Sequence, residues 1–247
     1  MYRMNKKDNK IPPPAALEIT ILSYRDVGSF EDAISEERLK SRQLRCSNGG
    51  GKCMEEALIL HNLGDLYFMM GKLNLAITSY EKSCEIQISL LGEKNVDLAL
   101  THNNIGVVLL KQGQYDRAME YFESVLSIRQ QKLGHNHEKC SDALHNMGLA
   151  QRYLKNYKKA IDFYEQSLKV RKIQLGKKRV MELKIADTLY NLAIAYAFNS
   201  QYTNAFKSHK KALTAYRKTA ITSSRFPVTN TLQWIKWFQK SSKVVTN

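Results

Sequence analysis

Residues 62–80 read NLGDLYFMMGKLNLAITSY, and the Asn-apolar-Gly/Ala step that opens this stretch occurs four times in the 247-residue chain. The four steps are Asn62-Leu63-Gly64, Asn104-Ile105-Gly106, Asn146-Met147-Gly148 and Asn191-Leu192-Ala193. Their third residues lie 42, 42 and 45 positions apart. A period of this length is typical of a stacked two-helix unit and not of a whole domain. We therefore predict an array of helical repeats.

Each copy continues with the same residue types after its opening step. An alanine lies twelve positions after the third residue of the step and a ring lies sixteen after it, as in Ala76/Tyr80, Ala118/Phe122, Ala160/Tyr164 and Ala205/His209. A turn position precedes them, occupied by Gly71, Gly113, Lys155 and Ser200. Apolar residues before the turn recur at spacings of three and four, which an amphipathic helix requires. The pattern predicts a helix, a tight turn and a second helix.

Three mid-helix glycines indicate that the paired helices approach closely, because glycine inside a helix costs about 1 kcal/mol relative to alanine. Ala193 occupies the fourth of these positions. A methyl group is therefore the largest side chain that we expect there. On this reasoning Gly106→Ala should be neutral or slightly stabilising, and Gly106→Leu should overpack the helix pair.

These residues resemble tetratricopeptide repeats, whose usual length is 34 residues. The pairs Leu91-Gly92, Leu133-Gly134 and Leu175-Gly176 follow the second helices and lengthen the unit. This extension is similar to the repeats of the kinesin light chain and nephrocystin proteins, in which the Leu-Gly pair is followed by two residues and then a histidine, and His137 fills that place here. The resemblance implies an all-α fold, a right-handed superhelical solenoid of tetratricopeptide helix hairpins whose first helices line a concave groove.

The register of the repeats predicts how the chain is organised. The predicted segments are a disordered basic N-terminus (1–16), a degenerate first repeat with a Gly-rich loop (17–55), four repeats (56–98, 99–140, 141–185 and 186–221), a C-terminal capping helix (228–240) and a tail (241–247). The capping helix carries Trp234, Trp237 and Phe238 at helical spacing. A sticky ligand surface is the alternative role for these rings, but the terminal units of solenoids need a cap.

Motifs of catalysis are lacking in this sequence. It contains no phosphate-binding GxxxxGK[ST], no nucleophile elbow and no HExxH. His135, His137 and Cys140 form HxHxxC, but a zinc site needs a fourth ligand that the sequence does not offer. The four cysteines lack both metal-ligand spacing and a disulfide framework, which is typical of a reducing compartment. We predict a cytoplasmic protein, open to cytoskeletal association, that is not an enzyme, holds no metal or cofactor and has no membrane span.

The resemblance also implies a peptide-binding groove on the first helices. The groove residues predicted on this basis are His61, Asn62, Asp65, Asn103, Asn104, Lys111, His145, Asn146, Arg152, Tyr153, Tyr190 and Asn191. The asparagines of the repeat step have two interpretations. Their amides both donate and accept, so they could hydrogen-bond the backbone of a bound peptide. Alternatively they bridge neighbouring helices, and the sequence leaves both interpretations open.

One binding function of similar repeats can be tested on the sequence. Chaperone-binding repeats grip a C-terminal carboxylate with Lys, Asn, Asn, Lys and Arg at set positions of their first helices. Those positions hold His61, Asp65, Asn104, Asp142 and Asn146 here. Only Asn104 matches, and the two acids would repel a carboxylate. We therefore do not expect a heat-shock co-chaperone.

The excess positive charge lies in the second part of the chain. Residues 1–140 carry 18 Lys and Arg and 18 Asp and Glu, whereas residues 141–247 carry 20 and five. The predicted acidic-partner surface consists of Lys158, Lys159, Arg171, Lys172, Lys177, Lys178, Arg179, Lys210 and Lys211. A solvated face would serve solubility with either sign, so one-sided enrichment favours an acidic protein segment, a tubulin-like surface or RNA. Base-reading motifs are lacking, so nucleic acid is not the favoured partner and would be contacted through its phosphates.

We predict a protein-interaction scaffold or adaptor that binds a peptide segment in its concave groove and whose basic C-terminal half favours acidic partners. The alternative from a different class is a permanent structural subunit of a larger assembly, such as a cytoskeletal or axonemal one. A phosphate-contacting, RNA-associated factor is a more distant alternative. An adaptor should bind a short peptide in isolation, whereas a structural subunit should bury its convex or end surfaces.

Overall fold

The computed structural model describes residues 30–47, 53–173 and 179–218, together with residue 233. Within these residues it contains nine α-helices and no strand. The helices are α1 (Phe30–Ser47), α2 (Met54–Met69), α3 (Leu73–Leu91), α4 (Val96–Gln112), α5 (Tyr115–Leu133), α6 (Glu138–Tyr153), α7 (Tyr157–Ile173), α8 (Arg179–Phe198) and α9 (Tyr202–Lys218). The predicted disordered N-terminus, Gly-rich loop and tail, and all of the predicted capping helix except residue 233, lie outside the described residues.

The helices form the hairpins that the repeat pattern predicts. The pairs are α2 with α3, α4 with α5, α6 with α7 and α8 with α9, and each pair contains one copy of the repeated step. The all-α helical repeat fold expected from the sequence is confirmed. No helix in the described part of the chain is both long enough and apolar enough to cross a bilayer.

The turn inside each hairpin depends on one residue with a left-handed backbone. Gly71 and Gly113 have φ angles of 74° and 80°, and Lys155 and Ser200 adopt φ angles of 64° and 60° at the equivalent positions. The next residue then donates its backbone N–H to a carbonyl five residues earlier, as Lys72 does to Tyr67 at 2.8 Å. This bond satisfies a carbonyl at the end of the first helix. The turn is therefore kept even where no glycine supplies it.

The glycine of each repeat step faces the ring on the second helix of its own hairpin. A Cβ atom added to Gly64 would lie 2.4 Å from Tyr80, one added to Gly106 would lie 2.5 Å from Phe122, and one added to Gly148 would lie 2.6 Å from Tyr164. These distances are too short for any carbon–carbon contact. The expectation that Gly106→Ala is neutral is therefore wrong, because the buried ring occupies the space that the methyl group needs.

The chain divides into two compact units, Met1–Ile128 and Arg129–Asn247, which we call the N-terminal unit and the C-terminal unit. In the N-terminal unit α3 packs against both α2 and α4, and in the C-terminal unit α8 packs against α7 and α9. In both units a serine on a second helix also bonds to the first helix of its own hairpin, α3 to α2 and α7 to α6. Ser83 donates to the carbonyl of Ala57, and Ser167 donates to the carbonyl of Ser141, each at 2.7 Å.

The linkers between hairpins place polar side chains at the starts of first helices. The side chain of Asn95 accepts the backbone N–H of Asp97 at 2.7 Å, and Nδ1 of His137 accepts the backbone N–H of Lys139 at 3.2 Å. Both residues therefore cap a helix. Cys140, the third member of the HxHxxC pattern, donates from its thiol to the Gly134 carbonyl at 3.4 Å. Among the described residues no group of His, Cys, Asp and Glu is arranged to hold a metal ion.

Candidate functional site

A buried polar network joins the first helices of the N-terminal unit. Nδ1 of His61 lies 3.1 Å from the hydroxyl of Thr101, which donates to Oε1 of Gln87 at 3.1 Å. The Thr101 oxygen is thus free to accept from Nδ1, which assigns the proton of neutral His61 to that atom. Nε2 is then an acceptor, and the Asn104 amide lies 3.3 Å from it. Burial lowers the pKa of His61, although Asp65 opposes this shift.

Asp65 is the acceptor at the centre of the same network. Its Oδ1 accepts from the hydroxyl of Tyr80 and, at 3.1 Å, from the amide of Asn104. All three side chains are buried, and Asn103 beside them is buried as well. At Asn104 the amide therefore bridges two first helices, as the second interpretation of the repeated asparagines holds.

Other first-helix residues of the N-terminal unit face solvent. Leu58 and Leu100 occupy the same place in their repeats and have exposed fractions of 60% and 37%. Lys111 is exposed, and its Nζ lies 4.5 Å from the centre of the Phe68 ring. Asn62 is half-buried. The solvent-facing surface of this unit thus combines apolar side chains with a lysine.

In the C-terminal unit His145 occupies the place of His61. Nδ1 of His145 lies 3.1 Å from the hydroxyl of Thr188, and burial lowers the pKa of His145 to about 3, helped by the charge of Arg171. The repeat asparagine Asn191 donates to the carbonyl of Asp187 in its own helix at 2.9 Å. The predicted groove residues that remain half-buried on α6 and α8 are Asn146, Arg152, Tyr153, Tyr190 and Asn191.

Arg171 is the centre of a charged cluster in this unit. It is only 3% exposed, and its guanidinium donates to Asp142 at 2.9 Å and to the hydroxyl of Thr188. Lys184 donates to the second oxygen of Asp142 at 2.8 Å. Burial by itself would raise the pKa of Asp142, but the charges of Arg171 and Lys184 lower it. Arg171 thus supports the packing of α6, α7 and α8 and contributes no exposed charge.

Five other residues of the predicted acidic-partner surface are exposed on the second helices α7 and α9, namely Lys158, Lys159, Lys172, Lys210 and Lys211. Lys177 and Lys178 lie outside the described residues, and the side chain of Arg179 does too.

Acid should destabilise the protein because it carries buried neutral histidines. Burial lowers the pKa of both His145 and His209 to about 3 from the ordinary value of 6.5. A histidine with a depressed folded pKa stabilises the fold fully above pH 6.5, and this stability is lost as the pH falls toward 3. The loss should reach at most ~1.4 kcal/mol per pH unit for each histidine.

Urea denaturation between pH 7.5 and pH 5 measures this effect. We expect His145→Gln to flatten the dependence of unfolding free energy on pH, whereas His135→Gln, at an exposed residue, should leave it unchanged. An equal slope in wild type and His145→Gln would show that His145 is not buried as a neutral ring.

Sequence reasoning missed the partners that bury these side chains, namely Thr101, Gln87 and Thr188. A signal was present in the pairs His61/His145, Tyr80/Tyr164 and Ser83/Ser167, which all recur at a spacing of 84 residues, or two repeats. Of these pairs, His61 and His145 contact the next repeat through Thr101 and Thr188, whereas Ser83 and Ser167 bond within their own hairpins.

Two family models, both described as tetratricopeptide repeat, match residues 55–131 and 97–173 and residues 185–220. A search for curated relatives by sequence gave no match.

Solved structures with the same fold share little sequence with the chain. The crystal structure of BtubC (BKLC) from P. vanneervenii has a TM-score of 0.73 at 18% identity, covering 85% of this chain and 82% of that one. A putative kinesin light chain from Podosopora anserina, with nearly identical TPR-like repeats, has a TM-score of 0.64 at 19% identity, covering 86% and 100%. The apo form of RapI has a TM-score of 0.68 at 17% identity, covering 93% and 85%.

Proposed function

Because the chain belongs to the tetratricopeptide repeat family and has the fold of a protein-interaction scaffold, we propose that it binds an acidic polypeptide segment. The observation that carries this proposal is the composition of α9, YTNAFKSHKKALTAYRK, which contains no acidic residue. Its exposed basic residues are Lys207, Lys210, Lys211, Arg217 and Lys218. Their spacings of three, four and seven residues place them along one face of the helix.

This basic face favours a partner over a merely solvated surface. Like charges three and four residues apart on a helix repel each other by a few tenths of a kcal/mol per pair. A surface that only served solubility would mix both signs, as the α7 sequence does with Asp162 and Glu165. An acidic segment laid along α9 would relieve the repulsion and gain attraction. The proposed partner is therefore acidic protein, with RNA phosphate as the competing possibility in the test below.

We further propose that the partner contacts solvent-facing residues of the first helices. In the N-terminal unit these are Asn62 and Lys111, together with exposed Leu58 and Leu100. In the C-terminal unit they are Asn146, Arg152, Tyr153, Tyr190 and Asn191. We leave His61, Asp65, Asn103, Asn104 and His145 out of this contact surface, because they are buried. Apolar, aromatic and amide side chains together suit a peptide whose backbone needs hydrogen-bonding partners.

Reversing charge on α9 should slow association with an acidic chain. We expect Lys210→Glu/Lys211→Glu to lower the association rate of poly-glutamate by about tenfold at low salt and to weaken its salt dependence, because long-range attraction acts on encounter and is screened over ~8–10 Å at physiological salt. Stopped-flow fluorescence at two salt concentrations measures both quantities.

The matched control is Lys72→Glu/Lys82→Glu, which reverses two exposed lysines of the N-terminal unit. It should change the rate far less. Equal effects of the two double variants would mean that α9 is only a solvated face. Stronger α9-dependent binding of poly-uridylate than of poly-glutamate would favour the RNA alternative.

A permanent structural subunit stays the second candidate, and the exposed apolar side chains favour it. Ile88, Leu90 and Leu91, grouped in the last turn of α3, are 39%, 44% and 43% exposed. Large exposed apolar groups are typical of protein interfaces when they are contiguous. A structural subunit should therefore self-associate in sedimentation experiments with the isolated chain, whereas an adaptor should sediment as one species.

A further inference from the structure

Equivalent buried tyrosines in the two units have different surroundings. Tyr80 and Tyr164 each lie sixteen residues after the repeat glycine and pack their rings against it. In the N-terminal unit the Tyr80 hydroxyl donates to Asp65, the residue that directly follows Gly64. In the C-terminal unit the residue that follows the glycine is Leu149, which offers no acceptor. The carboxylate of the first arrangement is thus missing from the second.

Two polar groups are left without an acceptor where that carboxylate is missing. The Tyr164 hydroxyl is fully buried, and among the described residues no acceptor is in hydrogen-bonding position for this hydroxyl or for the buried Nε of Arg152. The two side chains are neighbours: burial raises the pKa of Tyr164, and the charge of Arg152 opposes that rise. A buried donor without an acceptor loses its hydrogen bonds to water and gains none in return, so it calls for an explanation.

Arg152 also lacks a counter-ion within the described part of the chain. Its guanidinium lies 4.5 Å from the centre of the Tyr153 ring, and no described Asp or Glu forms an ion pair with it. The acid nearest in sequence on the same helix, Asp142, is held by Arg171 and Lys184. Arg152 nevertheless remains half-buried on a first helix, so part of it reaches solvent.

We propose that Arg152, backed by Tyr153 and Tyr164, binds a carboxylate of the partner polypeptide, which takes the place that Asp65 fills in the N-terminal unit. A planar guanidinium that is already oriented by a stacked ring is well suited to a carboxylate, because it can donate two parallel hydrogen bonds. The proposal rests on the proposed function and specifies which chemical group of the partner one first-helix residue binds. The site differs from the chaperone clamp, whose positions hold His61, Asp65, Asn104, Asp142 and Asn146.

The binding test uses a fluorescein-labelled, C-terminally amidated hexaglutamate and, as a second probe, a six-residue Gly-Ser peptide with a free carboxyl terminus. Arg152→Gln should weaken hexaglutamate binding at least tenfold in fluorescence anisotropy. Lys155→Gln removes the same charge from an exposed residue three positions away and should weaken it less than threefold. Arg152→Lys should lie between them, because lysine keeps the charge but not the paired donors. Loss confined to the Gly-Ser probe would identify a chain-terminal carboxylate as the ligand.

A second test supplies the missing carboxylate from within the chain. Leu149→Asp copies the arrangement of Asp65 and Tyr80, so it should melt several degrees above Leu149→Asn, which has nearly the same shape without the charge. It should also reduce hexaglutamate affinity about tenfold, because the internal carboxylate occupies Arg152. Gln166→Glu adds the same charge at an exposed residue of α7 and should leave affinity within twofold of wild type.

Three outcomes would overturn the inference. Wild type could fail to bind either carboxylate probe, the Arg152→Gln variant could bind hexaglutamate with wild-type affinity, or the Leu149→Asp variant could have a melting temperature no higher than that of Leu149→Asn. The second and third outcomes would leave the proposed function in place, since the charge reversal on α9 tests acidic-partner binding through different residues, whereas wild type that bound neither probe would count against both proposals. Conversely, if charge reversal on α9 had no effect but Arg152→Gln weakened binding, Arg152 would still be supported as a carboxylate-binding residue.

Discussion

Replacing Arg171 by glutamine is expected to lower the free energy of unfolding by about 3 kcal/mol, which is near the lower end of the cost of breaking a buried ion pair. The arginine is 3% exposed, and its loss leaves Asp142 with Lys184 alone. The bond from the guanidinium to the Thr188 hydroxyl is lost as well. Because Lys184 stays in place, the cost should not reach the upper part of the range. Urea denaturation followed by far-ultraviolet circular dichroism measures it.

The repeat at residues 56–98 suggests a second substitution that should rescue this variant. There the places of Asp142 and Arg171 are held by Leu58 and Gln87, and Gln87 still accepts from a threonine of the next first helix. Arg171→Gln/Asp142→Leu should therefore recover at least 1 kcal/mol of the loss, since no acid is left beside a missing cation.

The exposed neighbour serves as the matched control for Arg171. Lys172→Gln removes the same charge from the surface and should cost less than about 0.5 kcal/mol. A loss of the same size at Lys172 would show that net charge, and not the buried cluster, sets the stability. A full loss in the double variant would show that Asp142 is not the residue that Arg171 stabilises.

Arg171 also shows how far the sequence alone could lead. Its position beside Lys172 in a basic stretch made it a member of the predicted acidic-partner surface. The sequence shows that the residue is charged, but it does not show whether the side chain faces solvent or an acidic residue of a neighbouring helix. The partner, Asp142, lies 29 residues earlier, and the hydroxyl acceptor lies 17 residues later. Contacts at such separations follow only from how the helices pack.

The repeated features were predictable for a different reason. The Asn-apolar-Gly/Ala step, the alanine and the ring recur in each copy because the two helices of every hairpin pack against each other in the same way, so their register predicted all four hairpins. The asparagine ladder was less predictable. Asn104 bridges to Asp65 at 3.1 Å, whereas Asn191 bonds within its own helix at 2.9 Å. The same residue type therefore serves different contacts, which depend on the residue that faces it in the adjacent helix.

The same dependence on a facing residue decides the effect of a methyl group at Gly106. Alanine would gain up to ~1 kcal/mol from helix propensity, but its Cβ would lie 2.5 Å from a ring carbon of fully buried Phe122, and overpacking of a core costs ~1–3 kcal/mol. We expect a net loss of about 1–2 kcal/mol for Gly106→Ala and a larger loss for Gly106→Leu, measured by thermal and urea denaturation.

The fourth hairpin explains why Ala193 is accepted and supplies the control for this prediction. The ring sixteen residues after Ala193 is His209, which is smaller than the phenyl ring of Phe122. A smaller side chain opposite the added methyl group should therefore remove the clash. Gly106→Ala/Phe122→Leu should be more stable than the sum of the two single changes predicts, by at least 1 kcal/mol, because residues in direct contact couple. Additive effects, or a Gly106→Ala variant that melts above wild type, would mean that the Phe122 ring moves aside at no cost and that this helix pair is not closely packed at its glycine.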